Sequence, residues 1–358
     1  MSEVQLQIVN KVALITLNRP QALNALSHGM VLQLYAMLQE VQAAPAIRAV
    51  VLRGSGAKAF CAGGDVIAIA QSVKDGSALH RDFFIDEYRL DLCIHTFSKP
   101  VVAFMHGIVM GGGMGLAQGA SLRLVASNVR IAMPETRIGL IPDVGASYFF
   151  SKLPEPLARY LALTATTIGA QDAIYAQLAD ARSKVDDPEA LPALLEAIDW
   201  SSGINVSDAD QLRAALSMDD PATKIESAML AKQWPTIFEH FQPWASLTEL
   251  VHRLTTDGSP WALATLESLR SHSPLMLALT CESLKRGRHL PLKDCFKMEF
   301  GFIQQALSCG EFTEGVRALL VDKDRKPNWT VPRIEDLTPS VIEHAIRLAD
   351  ERSRSVTL

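Results

Sequence analysis

From Pro100 to Leu122 the chain carries no Asp, Glu, Lys or Arg, yet it holds six glycines. A segment without charge has no side that prefers water, so it has to be enclosed on every face. Its first part, PVVAFMHGIV, reads as a buried strand. The glycine run MGGGMG follows, and the pattern then turns helical. A strand that enters a helix through consecutive glycines belongs at the centre of a domain that mixes the two element types. A membrane span is the competing reading, and His106, Gln118, Ser121 and the glycines argue against it.

Further short apolar runs bounded by turn residues recur through the first half: VALITLN, AVVLRGS, LRLVAS and RIAMPE, with helical patterns such as GMVLQLYAMLQEVQ between several of them. This is the signature of an α/β fold. The spacing suits a spiral of strand-strand-helix units better than a fixed-length repeat or a simple dinucleotide-binding sheet. The first residues, MSEVQLQIVNKVALITLNRP, predict two strands around Asn10-Lys11 and lack the basic start and apolar core of a signal peptide. After about residue 195 the texture changes. SSGINVSDADQ and MDDPATK form polar breaks, and AMLAKQWPTIFEHF, LMLALTCESLKRG and FKMEFGFIQQALS read as longer helices. The expected organisation is a core over 1–195 and a mostly helical extension over 196–358 that packs on it.

Composition narrows the function. The 34 basic and 39 acidic residues give a net charge of −5 without long runs, so no electrostatic footprint for nucleic acid is present. The five cysteines are scattered with no CxxC pair, which argues against a zinc knuckle or a redox dithiol; no metal is expected. A reducing compartment follows, and with no export signal the expected location is cytoplasmic. The glycine run has no GxGxxG register, and GxxxxGK, GxSxG and HExxH do not occur.

Chemistry concentrates in three places. Consecutive glycines at a helix start leave backbone amides open to a ligand, because no Cβ blocks the approach. Gly112 is the candidate oxyanion donor, with close helix–strand packing as the plain alternative. In AFCAGGDVIAIA, Gly63 and Gly64 precede Asp65 and offer a second amide, unless the segment is an ordinary turn with Asp65 as a helix N-cap. In MPETRIGLIPDVG, Glu135 and Asp143 stand eight positions apart. Glu135, at the end of a strand, can activate water or attack directly. Asp143 either caps the following helix or orients substrate or water. His106 reads as a strand-end residue rather than a base.

Taken together, LNRPQALNAL, AFCAGGD, HGIVMGGGMG and MPETRIGLIPDVG resemble the crotonase (enoyl-CoA hydratase/isomerase) superfamily. FFIDEYRLD, SPLMLALTCESLKRG and FTEGVRALLVDKDRKPNW resemble its 3-hydroxyisobutyryl-CoA hydrolase branch in particular. The resemblance implies a crotonase-like α/β spiral with an α-helical C-terminal extension and an acyl-CoA substrate. CoA then enters as part of the substrate, and no separate cofactor is expected. It implies an oxyanion hole from Gly64 and Gly112, catalytic carboxylates Glu135 and Asp143, and a substrate contact at Glu87, which on its own reads as a charge on an amphipathic helix. CoA would lie along the loops around LNRPQALNAL and AGGDV, with Ala62 and Asp65 as contacts. Lys323, Arg325 and Lys326 are candidates for its phosphates, or simply a solvated helix end.

The hydratases carry a catalytic glutamate at the position occupied here by Gly115. Without it, adding water across a double bond loses one of its two acid/base groups, whereas thioester hydrolysis needs one carboxylate, an oxyanion hole and a water. The expected reaction is hydrolysis of 3-hydroxyisobutyryl-CoA to 3-hydroxyisobutyrate and CoA, in valine catabolism. The alternatives are an enoyl-CoA isomerase or hydratase of fatty-acid oxidation, or an acyl-CoA-binding protein without catalysis. The expected partner is the acyl-CoA alone, with neither nucleic acid nor membrane, and a homo-oligomer is possible.

Overall fold

A computed structural model describes residues 2–201, 206–218, 228–243 and 245–358. Residues 202–205 and 219–224 of the two polar breaks lie outside these. The described residues form two compact units. One is built from 1–65, 89–132 and 167–232, the other from 66–88, 133–166 and 233–358. Each is therefore assembled from three separate stretches.

All nine described strands lie in the first unit: β1 (Val4–Val9), β2 (Val12–Leu17), β3 (Ala49–Gly54), β4 (Ala59–Cys61), β5 (Val101–Met105), β6 (Ile108–Met110), β7 (Leu122–Val125), β8 (Arg130–Ala132) and β9 (Ala181–Arg182). A six-stranded sheet has the order β1-β2-β3-β5-β7-β9, and a three-stranded sheet has the order β4-β6-β8. Odd and even strands thus alternate between two sheets after β3. Each turn of the chain contributes one strand to each sheet, which is the geometry of a spiral.

Among the nine described strands β1 and β2 pair antiparallel and the other strand pairs are parallel. Asn10 and Lys11, at φ 45° and 66°, make the tight left-handed turn between β1 and β2. Every residue of β2, β3 and β5 is buried, as continuous apolar runs in parallel sheets require, while the edge strand β1 is exposed along its middle. The helix Asp208–Leu216 also belongs to this unit. Its Leu212 and Leu216 join Val12, Leu14, Val51, Val102 and Leu124 in one core.

The uncharged segment packs tightly against the backbone around β4. Gly107 has φ +53°, and a Cβ there would fall 2.1 Å from the Lys58 carbonyl oxygen. Gly113, inside the helix Gly112–Gln118, would set a Cβ 2.3 Å from the Cys61 carbonyl oxygen. The glycine run therefore serves packing as well as any ligand.

The second unit is helical. Three of its helices start at Ser-Pro or Thr-Pro pairs: Ser259, Ser273 and Thr338 each accept an amide hydrogen from the first turn, and Pro260, Pro274 and Pro339 occupy the first helical position. Phe296, Phe300 and Phe302 on the helix Leu292–Ser308 are buried, and Gly301 lets that helix meet the backbone of Ala349 on the helix Pro339–Ser353. Among the described residues no helix is long and apolar enough to cross a membrane.

Gly113→Ala has no flexible neighbour that could yield, since the contact is with backbone. It should cost about 1–3 kcal/mol of stability, read as a lower urea midpoint at unchanged slope. An unchanged midpoint would mean that the Cys61 contact is not tight.

Candidate active site

In the first unit, β4 ends in the loop Ala62-Gly63-Gly64-Asp65, which is laced to residues 23–26. Ala62 N–H donates to the Leu23 carbonyl (3.1 Å), Leu26 N–H to that of Gly63 (2.8 Å), and Asp65 N–H to that of Leu26 (2.9 Å). Asn24, fully buried, braces the same region. Its amide nitrogen donates to the carbonyls of Ser55 and Ala59, and its oxygen accepts from Arg19 N–H. Asp65 takes the Arg19 guanidinium at 2.9 Å.

Gly63 has φ +102°, and a Cβ there would lie 3.6 Å from the Gly112 nitrogen, so the loop and the helix start are side by side. The amides of Gly64 and Gly112 donate to nothing among the described residues. Two adjacent, open N–H groups have the form of an anion or oxyanion cradle. Gly115 is buried within the same helix. His106, also buried, holds the Gly56 carbonyl through Nε2 at 2.9 Å and stacks on Phe104. That is a structural role, as a strand-end histidine would have.

In the second unit the carboxylates gather. Glu135 opens the short helical turn Glu135–Ile138 and is 5% exposed. Its Oε2 has no hydrogen-bond partner among the described residues. Burial, followed by the charge of Asp143, lifts its carboxyl well above the ordinary range. Asp143, 4% exposed, accepts the Tyr88 hydroxyl at 2.6 Å. Burial pushes it up to about 7 against the opposing pull of that hydrogen bond.

The N-cap reading of Asp143 does not hold, because Gly145 is the N-cap of the helix Ala146–Phe150. The carboxylate of Glu299 arrives from the helix Leu292–Ser308 to accept the amides of Gly145 and Ser147, both at 2.8 Å, and the Ser147 hydroxyl at 2.5 Å. Burial raises Glu299 to about 8. Between Asp143 and Gly145, Val144 is held at φ 53°, a left-handed conformation that is strained for a β-branched residue.

Glu87 is 2% exposed and sits next to the fully buried Tyr88 on the helix Leu79–His95, so it is not a charge on a solvated face. That helix is enclosed on most sides, with Phe83, Phe84, Ile85 and Leu90 also buried. Lys323, Arg325 and Lys326 are exposed in the segment after the helical turn Arg317–Val321. Asp322 and Asp324 in that segment bind Arg317 rather than the neighbouring cations. Among the described residues no group of three or more His, Cys, Asp or Glu could hold a metal ion. The sequence reading missed Glu299, Tyr88 and Asn24. Tyr88 lay within FFIDEYRLD, but nothing local marks a glutamate in FKMEF as the cap of a helix about 150 residues away.

The enoyl-CoA hydratase/isomerase family profile matches residues 12–346. The mitochondrial 3-hydroxyisobutyryl-CoA hydrolase of Gallus gallus is 37% identical over 97% of this chain and 89% of its own. That of Homo sapiens is 34% identical over 94% and 86%. Among solved structures, a carnitinyl-CoA dehydratase from Mycobacterium thermoresistibile superposes with a TM-score of 0.85 at 33% identity, covering 97% of this chain and 96% of that one. An enoyl-CoA hydratase from Rhodobacter sphaeroides 2.4.1 gives 0.85 at 34%, covering 96% and 97%. The mitochondrial relatives overturn the expectation of a cytoplasmic location. The physical reason is that cysteines without a pairing pattern argue for a reducing compartment but do not distinguish one reducing compartment from another.

Asp143 and Glu299 hold protons in the folded chain at pH values where an unfolded carboxyl, titrating near about 4, has released them. The folded state thus binds more protons, and its stability falls as pH rises from about 4 through about 7 and about 8, then levels. Asp143→Asn should remove its share, giving a shallower loss of Tm between about pH 5 and about pH 8. Parallel Tm curves for the two proteins would count against a raised Asp143.

Proposed function

The chain belongs to the enoyl-CoA hydratase/isomerase family, and from that premise we propose that it is an acyl-CoA thioester hydrolase that converts 3-hydroxyisobutyryl-CoA and water into 3-hydroxyisobutyrate and CoA. The relatives named for that activity match nearly the whole chain. Gly115 stands where the hydratases carry a glutamate, which favours a reaction that works with fewer acid/base groups. Within the cell the reaction would serve valine catabolism.

The observation that carries the chemistry is the bare, buried Oε2 of Glu135 beside a second buried carboxyl. The carboxylate accepts a hydrogen bond from its own backbone amide, which leaves Oε2 as the oxygen available to whatever enters. The mutual repulsion of Glu135 and Asp143 lets the pair carry one charge more readily than two, so their titration belongs to the pair. Glu135 either takes a proton from water as it attacks the thioester carbon, or attacks that carbon itself to form a transient anhydride that water then opens; in both routes the C–S bond breaks and the CoA thiolate takes up the proton that water gives up. Asp143, oriented by Tyr88, holds the 3-hydroxyl or the water. The open amides of Gly64 and Gly112 are assigned to the carbonyl oxygen. Donors so placed bind it more tightly as it becomes negative, and each contributes about 2.7–4 kcal/mol in the transition state. Ala62, Asp65 and Glu87 are assigned to the substrate, and the exposed Lys323, Arg325 and Lys326 to the CoA phosphates.

Free-thiol release measured across a panel of acyl-CoA esters should be fastest for a short branched 3-hydroxyacyl chain. Consumption of an enoyl-CoA without thiol release would instead establish the hydratase or isomerase alternative. Glu135→Gln should lower kcat by about 10²–10⁴ with the fold intact; unchanged turnover would remove Glu135 from the chemistry, and no thiol release from any ester that the wild-type chain binds would leave only acyl-CoA binding. The rate should rise with pH as Glu135 ionises. Asp143→Asn removes the neighbouring negative charge, so the remaining acid limb should move to lower pH even as kcat drops. A limb that stays in place would mean that the two carboxyls do not interact.

A further inference from the structure

The second unit holds a half-open cavity of about 510 Å³ that none of Glu87, Tyr88, Glu135 or Asp143 lines. Its walls come from the helices Glu155–Thr164, Leu247–Asp257, Pro274–Gly287 and Pro339–Ser353. Much of the lining is apolar, with Leu247, Ala278, Leu284 and Ile342 among the contributors. The volume is that of a small-molecule site.

Its lining holds two acids and two cations, which differ in how they are paired. The two lining acids are already paired, Glu155 with Arg288 at 3.4 Å and Glu282 with Arg286 at 2.7 Å. The two lining cations, Arg159 and Lys285, have no ion pair among the described residues. Arg159 is only 6% exposed. Its guanidinium donates to the carbonyls of Pro243 (2.9 Å) and Ala245 (2.8 Å), and its Nε has no partner among the described residues. Two neutral carbonyls fix the group in place but leave its charge and its other donors unmet. A buried guanidinium without a counter-ion is costly unless an anion completes it, and a fixed, planar donor set suits a carboxylate.

We propose that this cavity is a second binding site, separate from the carboxylate cluster, for a small amphipathic carboxylate whose tail lies against Leu247, Ala278, Leu284 and Ile342 and whose head group meets Arg159. Lys285, at the exposed rim, adds attraction at the entrance. Cys281 lines the same space and gives the site a built-in reporter. The proposal does not depend on the hydrolase reading.

Octanoate is a suitable probe for the full-length chain. Calorimetry should show saturable binding that saturating CoA does not displace, and bound octanoate should slow iodoacetamide alkylation of Cys281, followed by mass spectrometry. Arg159→Met and Ala278→Phe should each weaken binding at least about tenfold. Arg159→Met also releases two backbone carbonyls and could compromise folding. In that case Ala278→Phe, which fills the cavity and keeps the cation, decides the matter alongside the wild-type protection of Cys281. Absence of saturation by about 1 mM, displacement by CoA, or binding that survives Ala278→Phe would overturn the proposal.

Discussion

Glu299 accepts the amides of Gly145 and Ser147 together with the Ser147 hydroxyl, and the geometry around Asp143 rests on that arrangement. The two residues after Asp143, Val144 and Gly145, both have positive φ, at 53° and 85°. A left-handed valine costs about 1–3 kcal/mol and persists only where its surroundings over-determine it. The Glu299 carboxyl does this from one side of the turn, and the Tyr88 hydroxyl, donating to Asp143, does it from the other. The kink ends with Asp143 directed at a phenol rather than at the helix it precedes. Three carboxyls, Glu135, Asp143 and Glu299, are thereby kept out of water in one unit, and each carries a raised pKa whose first cause is burial.

The parts legible in sequence were those written in contiguous residues. Fully buried strands announce themselves as uninterrupted apolar runs, so β2, β3 and β5 were plain, and Asn10-Lys11 marked the one antiparallel turn. β4 and β9, with three and two residues, are too short to show a period. Glu135 and Asp143 stood out because they flank a turn motif. What they depend on did not, because the Glu299 cap and the Tyr88 hydroxyl are supplied across 152 and 55 residues of chain. Asn24 is a similar case. In LNRPQALNAL it looks like a loop residue, and only the fold reveals its hydrogen bonds to the Ser55 and Ala59 carbonyls.

Relatives of this chain span several activities at nearly the same overall likeness. The solved dehydratase and hydratase superpose as well as any single-fold family would require, and the curated hydrolases match at similar identity. The shared backbone is therefore compatible with more than one reaction. Overall superposition cannot separate such reactions; the side chains of the site have to.

Each compact unit draws on three separated stretches, and the first is not complete until residue 232 has been added to the chain. During synthesis the uncharged segment from Pro100 to Leu122 therefore emerges well before Ala181, whose strand closes the far edge of its sheet. Parallel pairings across such separations form slowly because loop closure must come first. A nascent polypeptide of this design spends its early life with its least soluble portion uncovered, so its yield in the cell should be governed by chaperone access as much as by the stability of the finished enzyme.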